Sequence, residues 1–393
     1  MAKICLRIMT LLWGIIALLA LTGCDGGGGD DNADRDAQVG ASCEQNIDFN
    51  RTVAGSGPPF FLNFGLAVEA DGQIVVADDR AVLRVDPTTG ARTIISDANT
   101  GSGPAFTHLN GIAVEADGQL VVTDLGPFDL REGLIGVLRV DPVSGNRSVV
   151  SSVRRLVEPV TDNISLVPER GSGPVFVDPL GIAVEADGQL VVTNFGRSAV
   201  LRVDPLSGDR TVVSGPGAGT GLALGRPFDI AVEADGQLVV TDPFLGAVLR
   251  VDPDTGDRTP VSFDLIGVGA GPALMLPLHI VVDGNGRLVV DDIALEAVLR
   301  IDPDTGNRTT ILDTSGELFP PILGGLAVEA DGHLLLSANG GGGSFSAIQR
   351  LCSATNNLIL VSGSRPDEPD AWDPGEPEAG FKGIDPRVDP EIQ

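Results

Sequence analysis

The chain has 393 residues, 42% hydrophobic but only 4% aromatic, with no tyrosine, and a formal charge of −28. That length suffices for a large core of small aliphatic side chains, while the charge repels phosphate backbones and excludes a nucleic-acid partner. The scarcity of rings also argues against recognition by base or sugar stacking; cationic partners or divalent ions suit the acidity, unless it serves solubility alone.

Lys3 and Arg7 precede an apolar run from Ile8 to Leu21, short for a membrane span and of the length of a signal peptide. The run ends in Leu21-Thr22-Gly23-Cys24, which resembles the lipobox of bacterial lipoproteins. The resemblance implies a signal peptide over 1–23, lipidation at Cys24 and a membrane contact through that lipid. It places the protein in a bacterial cell envelope, periplasmic or surface-facing. Residues 24–42 form a flexible acidic, Gly-rich tether without a core-forming pattern.

From 43 to 363 one phrase recurs six times, as in GIAVEADGQLVVTN followed by AVLRVDPLSGDRTVVS. Each copy holds four short apolar-alternating runs divided by turn residues, which predicts four antiparallel strands per unit. The residues opening the first strand are Gly65, Gly111, Gly181, Asp229, His279 and Gly325, at spacings of 46, 70, 48, 50 and 46. The usual propeller-blade period is about 40 to 50 residues, so the fold class is all-β, a six-bladed β-propeller of four-stranded antiparallel blades. The long second spacing reads as loop insertion, over about 125–136 and 153–172. The E-A-D-G and D-P-x-T/S-G hairpins use Asp to bond local backbone and Gly for positive φ. Residues 364–393, rich in Pro and acid, form a tail that is disordered or docks through Trp372 and Phe381.

Two features concern ring closure. Asn50–Ala54 matches a fourth strand, and either adds an edge to the last blade or displaces Leu358–Ser362. With Cys5 removed and Cys24 lipidated, Cys43 and Cys352 remain; they either pair across the seam or stay as separate thiols. A bridge closing so long a loop would stabilise by roughly 4 to 5 kcal/mol in the chain-entropy model.

A propeller's first strands line its channel, and the loops into them share a face with the loops between second and third strands. These loops vary among the copies whereas the hairpins opposite barely change, so the variable face is the expected working face. Three groups there carry candidate chemistry. Asp78, Asp124, Asn194, Asp242 and Asp292 end the second strands, as oxygen ligands for a divalent cation such as Ca²⁺ in the channel or as caps of local turns. Asp229 and His279 replace Gly in adjacent blades, where a carboxylate-held imidazole would make a general base. Asn110, with His108 beside it, marks the way into the second blade, and Asn110, Asp229 and His279 are the ligand-binding candidates. The repeated Arg84, Arg139, Arg202, Arg250, Arg300 and Arg350, and Arg92, Arg147, Arg210, Arg258 and Arg308, read as structural, bridging strands or pairing with hairpin aspartates.

The P-x-GIAVEADGQLVVTD phrase resembles the NHL repeat and its relatives in the six-bladed superfamily of SMP-30/gluconolactonase-like hydrolases and streptogramin-lyase-like proteins, over roughly 50–363. The gluconolactonase-like resemblance implies a divalent ion held by a Glu, Asn residues and an Asp; Asn110, Asn194 and Asp242 are loose counterparts, and no Glu stands in PFFLNFG, the way into the first blade. The streptogramin-lyase-like resemblance implies histidines near the channel, where His279 is comparably placed. The sequence is thus read as a lipid-anchored, exported, monomeric NHL-like propeller that binds a protein or small molecule on its variable face. The alternatives are a metal-dependent lactonase or lyase with its site in the channel, and an envelope protein of purely structural role.

Overall fold

The computed structural model describes residues 55–127, 133–157, 164–315, 322–339, 346–353 and 357–364. The signal peptide, Cys24, the tether, Cys43, Asn50–Ala54 and the tail beyond Ser364 lie outside them. Six antiparallel sheets follow one another along the chain, each with strands in sequential order. Their first strands are Asn63–Val68, Leu109–Val114, Pro179–Val184, Ile230–Val232, Pro277–Val282 and Ile322–Val328. Each of these touches the first strand of the next sheet, and Ile322–Val328 returns to Asn63–Val68, closing a six-bladed propeller. Among the described residues no helix is long and apolar enough to cross a membrane.

The second strands explain why the blades stack. Ile74–Asp78, Leu120–Asp124, Leu190–Asn194, Leu238–Asp242 and Leu288–Asp292 are buried at every position, because each has a blade on either side and both faces of its pleat are covered. The core therefore lies between blades. Val75, Ala77 and Ile95 of the first pack with Phe106, Leu120 and Leu138 of the second, and Leu335 and Ile348 of the sixth pack with Leu66 and Leu83 of the first.

The arginines hold the ring. In five blades the third-strand arginine pairs with the glutamate of the E-A-D-G hairpin, as in Arg84–Glu69 and Arg202–Glu185 at 2.5 Å; only Arg300 takes an aspartate, Asp283, at 3.4 Å. The fourth-strand arginines reach the preceding blade: Arg147 Nη1 donates to Ser96 Oγ at 2.6 Å, Arg210 to Ser151 at 2.6 Å and Arg258 to Ser214 at 2.7 Å. At the seam Arg92 Nη1 donates to Ser362 Oγ at 2.8 Å.

Two expectations are refined. The insertion in the second blade is not loop alone: it lengthens the third and fourth strands to Gly133–Val140 and Arg147–Val157 and adds a fifth, Ile164–Arg170, at the outer edge. Leu358–Ser364 keeps its place as the sixth blade's fourth strand, so Asn50–Ala54 does not displace it. Cys352, fully buried, is disulfide-bonded to a partner outside the described residues.

Candidate functional site

The variable face is built from strained turns. Among the described residues the non-glycine positions with positive φ are Asp79, Asp178, Ser198 and Glu296, at 44°, 54°, 53° and 53°. All four lie in loops into first strands or in turns between second and third strands, whereas the hairpins opposite meet the same need with glycine, as at Gly72 and Gly118. Such strain persists only where surrounding structure over-determines it, and it concentrates at functional sites.

The acidic ring does not converge. Each member turns to the backbone of its own blade's inbound loop. Asp78 accepts the amide protons of Phe61 (2.8 Å) and Leu62 (2.6 Å), Asp124 those of Thr107 (2.8 Å) and His108 (3.1 Å), and Asn194 Oδ1 that of Val177 (2.7 Å). Asp242 binds Gly225 (2.6 Å) and Arg226 (3.0 Å), and Asp292 binds Met275 (2.7 Å) and Leu276 (3.0 Å). Asp242 and Asp292 also accept from the turn that follows, at Leu245 and Leu295. These side chains are caps, and a Ca²⁺ ion does not fit: their oxygens are spent on N–H donors in separate blades, and no group of three His, Cys, Asp or Glu suited to a metal occurs among the described residues. Burial outweighs the hydrogen bonds at Asp78, whose pKa rises to about 7.

The residues that break the repeat do come together. Asn110, Asp229 and His279 line one cavity of about 420 Å³, the central channel, walled by the first strands of all six blades. Glycine fits in the first three blades because the neighbouring strand is close: a Cβ on Gly111 would stand 2.6 Å from Leu180 O, and one on Gly181 2.7 Å from Asp229 Cα. In the fourth blade the Asp229 side chain occupies this space, with Oδ2 accepting from Ile280 N of the fifth blade at 3.0 Å.

The imidazole of His279 is held, but not by Asp229. Its Nδ1 lies 3.0 Å from Oδ2 of Asp291, whose Oδ1 also takes the His279 amide proton at 2.5 Å. Asp291 escapes a reading that looks only at strand ends. It stands where Thr123, Thr193 and Thr241 occur, and there the Thr hydroxyl accepts from its own blade and donates to the next, as Thr193 does to Phe228 O at 2.7 Å. The signal was LVVDD in place of LVVTD. Burial pushes the imidazole pKa down, but Asp291, by charge and hydrogen bond, and Asp229 more than reverse this, so it is raised; burial raises that of Asp229. His108 Nδ1 meets Asp79 Oδ1 at 2.7 Å across the first and second blades.

The raised value has a sign in stability. The charged imidazole contributes fully below the unfolded histidine pKa, about 6.5, and the contribution is lost as pH rises through the folded value. In an NMR titration His279 is expected to titrate above the ordinary histidine value in the wild type, and lower in Asp291→Asn, where the carboxylate that favours the charged ring is lost. An unchanged value would show that Asp291 does not hold the proton.

An aromatic cluster borders this sector. The Phe228 ring lies edge-on to His279, with centroids 5.3 Å apart, and edge-on to Phe195 at 6.3 Å. Phe195 meets Phe244 at 6.0 Å, and Arg226 Cζ lies over both, at 5.2 and 5.0 Å.

No family model matches the chain, and no curated protein matches it. Among solved structures it is similar to a Bacteroides thetaiotaomicron protein of unknown function, with TM-score 0.54 and 12% identity over 82% of this chain and 75% of that one. It is similar to a streptogramin B lyase at TM-score 0.50 and 14% identity, over 79% and 85% of the two chains. A gluconolactonase from Xanthomonas campestris follows at 0.49 and 18%, over 77% and 87%. At these identities the likeness shows the fold alone, the six-bladed β-propeller that the sheet order also gives. Fold alone assigns no activity.

Proposed function

We propose that the protein is a lipid-anchored, exported binding module whose ligand seats at the channel mouth on the variable face. One observation carries the reading. The residues that depart from the repeat, Asn110, Asp229 and His279, line a single cavity, while those that obey it are spent on holding loops and blades. At about 420 Å³ the cavity falls in the ordinary range for small-molecule pockets. Export is supported by the Lys3–Cys24 segment and by the disulfide at Cys352, since disulfides persist in oxidising compartments. Cys24 then ties the propeller to a membrane through its lipid, with the tether between them.

The metal-dependent hydrolase or lyase loses its ligand set to the backbone amides. A metal-independent lyase keeps one observation in its favour, the His279–Asp291 pair, an arrangement that orients an imidazole for proton transfer. Asp291 and Asp229 stabilise the protonated imidazole, which favours proton donation over proton abstraction as its role.

A thermal-shift screen of small molecules on the full chain tests the binding reading, with His279→Ala and Asn110→Ala alongside. Saturable stabilisation is expected in the wild type and is expected to vanish in both variants while their own unfolding stays cooperative. A hit that stabilises all three proteins equally would place the ligand elsewhere, and turnover of a hit, abolished in His279→Ala, would favour the lyase.

A further inference from the structure

A second cavity, of about 530 Å³, lies apart from the channel, as a groove in the third blade. We propose that this groove binds a small aromatic carboxylate, with the ring in the apolar space beside Gly215 and the carboxylate on Arg197.

The repeat itself shows what the groove lacks. In the fourth blade Phe263 stands opposite Ala247 and is buried with Ala247 and Leu249, while Leu222 and Leu245 pack against them. The third blade has the same frame. Ser214 pairs with Val200 as Ser262 pairs with Val248, and the residues that follow make matching bridges, Gly215 to Ala218 and Phe263 to Val268. Gly215 therefore takes the place of Phe263 without its ring. Pro174, Ala199 and Leu201, the counterparts of Leu222, Ala247 and Leu249, line the groove with Val212 and Pro216. An aromatic ring from outside covers such apolar surface as Phe263 does from within, and the volume falls in the ordinary range for small-molecule pockets.

The charge of the ligand follows from the turn above. Asn194 pairs with Ala199 as Asp242 pairs with Ala247, so Arg197 stands where the fourth blade has Leu245. Arg197 is exposed, and among the described residues it is the one arginine with no hydrogen bond, ion pair or ring contact. The other polar side chains of the lining are engaged: Asn194 Oδ1 accepts from Val177 N at 2.7 Å, its Nδ2 donates to Val175 O at 3.1 Å, and Ser198 Oγ donates to Gly225 O at 2.5 Å. The backbone that carries Arg197 is fixed, with Gly196 N donating to Val177 O at 2.9 Å and Ser198 held at a φ of 53°. A planar guanidinium at the rim of an apolar groove matches a carboxylate attached to a hydrocarbon. An exposed ion pair is weak by itself, so ring burial supplies most of the affinity and Arg197 sets the preference for the anion.

The test is a ligand-observed NMR titration of the full chain with 3-phenylpropionate, 3-phenylpropanamide and acetate at low ionic strength. The aromatic acid is expected to bind about fivefold more tightly than its amide, the scale of one solvent-screened charged contact, and acetate, which lacks the ring, far more weakly than either. Arg197→Leu, which installs the residue of the fourth blade, is expected to erase the preference for the acid and keep the affinity for the amide. Val212→Trp fills the groove from a strand position that is 37% exposed and is expected to abolish binding of both. His279→Ala should leave all affinities unchanged, which separates this groove from the channel. Equal affinities for acid and amide, a preference that persists in a cooperatively folded Arg197→Leu, binding that persists in Val212→Trp, or no binding of either aromatic probe would overturn the proposal. Loss of binding in His279→Ala would overturn it as well, by placing the probe in the channel.

Discussion

Replacing Arg92 by Met is expected to lower stability by about 3 to 5 kcal/mol, the loss typical when a buried, multiply bonded charge is deleted. Its guanidinium donates to Pro58 O at 2.7 Å, Ser362 Oγ at 2.8 Å and Gly363 O at 3.1 Å, and lies over the Phe60 ring at 5.3 Å. These contacts join the last blade to the first, so Met strands several acceptors at the seam. Lys should recover little, since one ammonium cannot span acceptors arranged around a fork. Arg80→Ala, at a side chain 69% exposed, serves as control and should cost little. Urea denaturation of the three variants measures this, and a loss at Arg92 no larger than at Arg80 would mean that the ring closes by other means.

Asp78 provides the second large effect, and its sign depends on the substituent. Asp78→Ala leaves the Phe61 and Leu62 amides without their acceptor, at about 1 to 3 kcal/mol each. Asp78→Asn keeps an oxygen there, as Asn194 does in the third blade. The folded pKa of Asp78 is about 7 against a usual 3.8, so the native state favours the neutral acid. The group's contribution to stability is therefore greatest below the unfolded value and falls as pH rises toward 7. Asn carries no such loss. Relative to the wild type, Asp78→Asn should gain stability between pH 4 and pH 8, by an amount on the order of a few kcal/mol, while Asp78→Ala should be destabilised throughout. A difference between Asn and wild type that does not vary with pH would show that Asp78 ionises normally in the fold.

The architecture was legible because it is written six times. Alternating runs and turn residues gave strands, and their period gave blades. The expected working face followed from where the copies differ, and Asn110, Asp229 and His279 line the central channel. Repetition left two readings open: four aspartates and Asn194 at the strand ends look like a coordination ring when projected onto one circle, yet each is satisfied inside its own blade by amides some sixteen or seventeen residues earlier. Such pairing depends on backbone direction, which a residue pattern does not state. Asp291 was visible only as one departure within LVVTD, and its bond to His279 depends on a register that places residue 279 beside 291. The Phe195–Arg226–Phe244 cluster joins turns from two blades and an inbound loop, whose meeting is a property of the assembled ring.

The most direct test of the channel mouth uses the chain's own histidines. There are three: His279 lines the channel, His108 pairs with Asp79 between the first and second blades, and His333 lies in a hairpin on the opposite face, near Ser353. With selectively labelled histidines, titrating a ligand that stabilises the full chain is predicted to move the His279 resonance saturably and leave His333 unmoved. A resonance shift confined to His333, or none at His279 at saturation, would contradict the claim that the departures from the repeat form the binding site.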